Sequence, residues 1–178
     1  MHFNDLDLCT YHPGPLEAST WAVPLRAIGW LEHPHAFATG TAPDGLVAAL
    51  TRLVEQTRSQ LAQYRFRGAY DCSFCSAAGC KTGGAGWSQE NLIVPGAGEI
   101  YAAPGAVVHY IADHSYLPPP KFIAAVMACP DCGSSAYFDA LRRVNREQAL
   151  PLESKDDYAR RIQSFGRGAP GAPREPHI

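Results

Sequence analysis

Nowhere in the 178-residue chain do 18 apolar residues follow one another, so the sequence offers no helix able to cross a membrane. The first residues, MHFNDLDLCTYHPGPLE, lack the basic segment and apolar run of a secretory leader. Charge is scarce as well. Asp, Glu, Lys and Arg make up 18% of residues and the formal net charge is -2, so no overall positive field exists to attract a polyphosphate backbone. Nucleic-acid binding would need a local basic patch. No internal repeat and no long charge block stands out. The expectation is a soluble, cytoplasmic protein with no membrane association.

Apolar residues, at 46%, are enough for a real core, and the length suits one domain better than two marginal ones. The six cysteines include two C-x-x-C spacings, and in a reducing compartment such pairs favour metal ligation over disulfides.

The pattern along the chain predicts an α+β single domain. In WAVPLRAIGWL, bulky apolar residues surround Pro24, which fits an edge strand. Leu46, Leu50, Leu53, Thr57, Leu61 and Tyr64 recur at three- and four-residue steps, which predicts a long amphipathic helix with Asp44 as its N-cap. NLIVPGAGEIYAAPG reads as a β-hairpin, followed by a helix over GAVVHYIADHSYL that Pro118, Pro119 and Pro120 bring to an end. KFIAAVMAC, SSAYFDALRRVNREQ and SKDDYARRIQSF predict C-terminal helices. Residues 1–165 are expected to form the domain, and the glycine- and proline-rich 166–178 a flexible tail.

The strongest chemical signal is YDCSFCSAAGC. Cys72 and Cys75 form a C-x-x-C turn, and His109 and His114 in HYIADH form an H-x4-H pair, with 33 residues between Cys75 and His109. A tetrahedral zinc site needs four such donors from two rigid backbone pieces. The order turn, hairpin, helix resembles a ββα metal core in which zinc ties the hairpin to the helix. The insert is much longer than the roughly 12–15 residues of a DNA-reading finger, so entry into a DNA groove is not implied.

A rival set replaces the histidines with Cys129 and Cys132 of CPDCG, giving four thiolates. Cys80 is a further possible donor, and Cys9 reads as a small buried hydrophobe. His33 and His35 form a secondary candidate pair in a proline-bound loop.

The run FRGAYDCSFC followed by IYAAPGAVVHYIADHSYLPPPKFIAAV resembles a family of small, largely uncharacterised bacterial zinc-binding proteins with an F-R-G, C-x-x-C and H-Y-I-x-x-H-x-Y-x-P-P pattern. RAIGWL before it and CPDCGSSAYFDALR after it also fit, so the resemblance covers most of residues 20–145. In that family the position of Tyr70 often carries histidine and that of Cys132 is not regularly cysteine. The resemblance therefore implies Cys72, Cys75, His109 and His114 as the metal ligands. It carries no activity with it.

With all four positions filled by protein, the expectation is a non-catalytic zinc-binding module with a protein partner. One alternative is a zinc hydrolase or deaminase. ACPDC only half resembles the deaminase P-C-x-x-C, His109 lacks a glutamate two positions on, and no H-E-x-x-H occurs. The other alternative is nucleic-acid binding through Arg65, Arg67 and Lys81, with Arg142, Arg143 and Arg146, which the acidic balance opposes.

Overall fold

The apolar spacing that starts at Leu46 produces helix α1, Leu46–Gln60, in a computed structural model that describes residues 1–11, 16–65, 70–79 and 87–166. Leu46, Leu50, Leu53 and Thr57 form its buried face, which packs against α3 (Val107–His114), α4 (Pro120–Ala128) and strand β4 (Asn91–Pro95). Its cap differs from expectation: the N-cap is Gly45 at φ 81°, a left-handed conformation that glycine adopts without a Cβ penalty, and not Asp44. Leu61 continues the buried face after the helix ends, and Tyr64 lies in a short 3-10 turn over Ala62–Tyr64.

Beneath α1 lies a three-stranded sheet in the order β1-β5-β4, with β1 at Leu25–Ala27 and β5 at Ile100–Pro104. β4 and β5 form the expected antiparallel hairpin, in register from Asn91 opposite Pro104 to Pro95 opposite Ile100. The central strand β5 is buried along its whole length, which explains its unbroken apolar reading IYAAP. β1 is an edge strand running parallel to β5, and Pro24 precedes it where the ladder needs no N–H. The N-terminal arm covers its outer side, through Leu6 N to Ala27 O at 2.8 Å, Ala27 N to Asp7 O at 2.9 Å and Cys9 N to Leu25 O at 2.8 Å. The arm is fixed further by Asp5, which accepts hydrogen bonds from Tyr116 Oη at 2.8 Å and from the Gly29 N–H at 2.9 Å.

The C-terminal helices α5, Ser135–Val144, and α6, Lys155–Gly166, complete an α+β single domain with six helices among the described residues. Ser134 caps α5 by accepting from Tyr137 N at 3.2 Å, and the buried Tyr137 hydroxyl donates to Ile93 O at 2.8 Å, which pins α5 to β4. Asn145 is fully buried and ties the segment before β1 to the loop after α5, accepting from Ala22 N at 2.7 Å and donating to Ala149 O at 3.2 Å. None of the helices among the described residues is long and apolar enough to cross a membrane.

A second ladder, β2 (Tyr70–Asp71) with β3 (Trp87–Ser88), frames the cysteine segment. Just after it, Glu90 is 3% exposed and receives Arg58 Nε at 2.9 Å, with Arg65 Nε at 3.6 Å. Burial alone would raise the Glu90 carboxyl, but the Arg58 guanidinium and nearby N–H donors outweigh it and leave the group below its ordinary value. A carboxylate depressed in the folded state adds stability above its unfolded pKa and loses that contribution as pH falls through the folded value. Glu90→Gln should therefore cost about 1 kcal/mol near neutral pH, a figure reduced because Arg58 is half exposed. The gap from wild type should close below about pH 4.5. Urea midpoints of the two proteins between pH 3 and 7 measure it, and a gap that stays constant across that range would show that the charge is not responsible.

Candidate metal centre

The first pair of donors comes from a helix start. The chain leaves β2 at Asp71 and turns directly into the short helix α2, Ser73–Ala77, with Cys72 as N-cap at φ -64°, ψ 113°. The Cys72 sulphur accepts a long hydrogen bond from Cys75 N at 3.5 Å, which keeps it over the first turn, on the side from which Cys75 projects. The hairpin β4–β5 supplies no donor. Its role is to carry the chain from the cysteine segment to α3, so that the cysteine turn and the helix face each other, as the order turn, hairpin, helix predicts.

The second pair sits on α3. Five positions correspond to about 140° around a straight helix, so the spacing of His109 and His114 does not by itself place both on one face. The helix end does. His114 is the last helical residue, and Ser115 follows at φ 54° with Tyr116 N bonded back to Tyr110 O at 3.0 Å. Helical side chains lean towards the N-terminus, and the two rings meet at a centroid distance of 4.9 Å and an interplanar angle of 84°.

The four donor atoms lie within 4.8 Å of one another. His114 Nε2 is 3.2 Å from Cys72 Sγ, 3.3 Å from Cys75 Sγ and 3.2 Å from His109 Nε2, and Cys75 Sγ is 3.4 Å from His109 Nε2. A tetrahedral ion with bonds of about 2.3 Å to sulphur and about 2.0–2.1 Å to nitrogen requires edges of about 3.5 Å between sulphur and nitrogen and about 3.3 Å between nitrogens. These four edges fall within about 0.3 Å of those values and all six lie within 4.8 Å, so Cys72, Cys75, His109 and His114 could hold a metal ion.

Their surroundings suit that use. Cys72, Cys75 and His109 are buried, while His114 is half-buried. Burial, with a smaller contribution from His109, lowers the pKa of His114 and favours the neutral imidazole that a metal needs. Asp113 Oδ2 stands 2.5 Å from the other ring nitrogen of His109. Phe74, between the two cysteines, packs on His114 at 5.5 Å, Phe37 at 5.2 Å and His33 at 6.0 Å. The segment from His33 to Gly40 straps this side, through His33 N to Ser73 Oγ and Leu117 N to Ala38 O, both 2.9 Å.

The remaining candidates lie elsewhere. Cys129 and Cys132 are buried against α1: Thr57 Oγ1 is 3.4 Å from Cys132 Sγ, Gln56 Oε1 accepts from Cys132 N at 2.8 Å, and Asp131 between them is held by Arg52 and Gln56. Their CPDC turn is thus a polar clasp between α1 and α5. Burial pushes the Cys129 thiol up to about 12, away from the thiolate that a metal binds. His35 stacks on His2 at 4.0 Å, and neither it nor His33 belongs to the metal-competent group among the described residues. Cys9 is a core residue, as expected. Cys80 and the tail beyond 166 fall outside the described residues. Sequence reasoning missed Asp113 and Phe74, although an acid four residues after His109 and an aromatic inside the C-x-x-C were both visible.

The chain belongs to the family described as Domain of unknown function (DUF7919), whose profile matches residues 1–127. All four converging residues lie inside that match, and Cys129 and Cys132 lie beyond it. No curated protein and no solved structure matches the chain.

Proposed function

We propose that this DUF7919 member binds one structural zinc ion through Cys72, Cys75, His109 and His114, and works as a non-catalytic module that presents a surface to a protein partner in the cytoplasm. One observation carries the reading: four protein donor atoms converge within 4.8 Å of one another, with three of the four side chains buried. Catalytic zinc sites keep three protein ligands and leave the fourth position to water or substrate. Two thiolates and two imidazoles suit zinc, and an abundance of cysteine in C-x-x-C pairs suits a reducing compartment. The likeness of the HYIADH and CSFC motifs to small bacterial zinc-binding proteins points the same way.

What the ion does here is mechanical. It clamps the turn before α2 to the end of α3, and through Phe74 and the strap over residues 33–40 it fixes the adjoining surface. Metal analysis of the purified chain should return about one zinc per protein. His109→Ala should lose most of it and Cys132→Ala should keep it. Zinc retained in the first variant and lost in the second would transfer the site to the CPDC turn and end this assignment.

A further inference from the structure

We infer that Asp113 is the positioning residue of this centre, holding the His109 ring so that Nε2 faces the metal; the inference rests on the metal-binding reading above. Its carboxylate oxygen contacts His109 Nδ1 at 2.5 Å, one helical turn on. That nitrogen is buried and has no aligned hydrogen-bond partner among the described residues, so the oxygen lies beside it off the N–H axis and the contact is electrostatic. A negative charge there keeps the proton on Nδ1 and leaves the Nε2 lone pair for the ion. Cys75 Sγ and His114 Nε2 already converge on that same Nε2.

Helix stability does not account for an aspartate at this place. Asp113 is the next-to-last residue of α3, where the partial negative charge of the helix end repels a carboxylate. Its side chain is 54% exposed, and its carboxylate stands against the His109 ring. The group is thus unfavourable for the bare helix and favourable for a charged centre beside it. The two effects have opposite signs, which gives a test that a merely structural residue would fail.

Zinc affinity of the full chain is measured by competition with a chromophoric chelator for wild type, Asp113→Ala, Asp113→Asn and the remote control Asp139→Ala. Thermal midpoints are recorded for the same proteins without metal. Asp113→Ala should bind zinc about 10–100-fold more weakly, while its metal-free midpoint stays equal to wild type or rises. Asp113→Asn, the neutral isostere, removes the charge on which the contact depends and should fall with Asp113→Ala, and Asp139→Ala should match wild type. Cobalt bound to Asp113→Ala should keep its thiolate charge-transfer bands, because the donors are unchanged. An Asp113→Ala affinity within twofold of a zinc-binding wild type overturns the inference and leaves the metal reading standing, as does weaker binding matched by an equal loss of metal-free stability. A wild type that binds no zinc removes both.

Discussion

On the proposed zinc-bound reading, chelation at neutral pH is expected to lower the thermal midpoint by about 8–16 °C. A ligand present at about a thousand times its dissociation constant stabilises the folded state by about 4 kcal/mol, and for chains of this length each kcal/mol is worth about 2–4 °C. Structural zinc sites are commonly tighter than that, so the figure is a lower range. The loss should be large because α2 is only five residues long and the donors of Cys72 and Cys75 face those of His109 and His114 across its junction with α3. Cys75→Ser should reproduce the fall and no longer respond to chelator, whereas Cys132→Ala, whose sulphur rests on Thr57, should keep its response. Calorimetric scans with and without chelator make the comparison. An unchanged midpoint after complete zinc removal would show that the ion does not support the fold.

Tyr110→Ala is expected to cost about 3–5 kcal/mol, as for other large buried aromatics. The ring is fully buried on α3 between the metal centre and the core, 6.2 Å from Phe74 and 6.2 Å from His114 by ring centroids. Its removal would leave a void beneath the helix end that aims both histidines. Tyr110→Phe should cost about 1 kcal/mol or less, because the hydroxyl donates to Leu31 O at 3.5 Å, a long bond. Urea midpoints distinguish the two contributions, ring and hydroxyl. Near-equal losses in the two variants would show that the hydrogen bond matters and the packing does not.

The parts of the fold that were legible from residues alone are those encoded within one element. The period of Leu46, Leu50, Leu53 and Thr57 marked α1, and the apolar runs around Gly96 and Gly98 marked the β4–β5 hairpin. Asp44 was misread as a cap because its neighbour Gly45 reaches a left-handed conformation that leaves the cap position to glycine. The N-terminal arm gave no periodic signal, since its pairing with β1 is a matter of backbone hydrogen bonds and of one Asp5 carboxylate that meets Tyr116 across 111 positions.

The sequence by itself determined that two soft donors sit in a C-x-x-C turn, that two imidazoles sit on a helix, and that the whole is α+β, because donor chemistry and hydrophobic period are properties of short stretches of chain. Only the tertiary structure decided which distant pair meets Cys72 and Cys75. His109 and His114 come from α3 to within 3.2–3.4 Å of the thiols, while Cys129 and Cys132 are held against α1 by Arg52, Gln56 and Thr57. Both pairs had acceptable spacing. Which of them arrives depends on how α1, α3 and the sheet pack, and packing between elements far apart in the chain is not written in the spacing within any one of them.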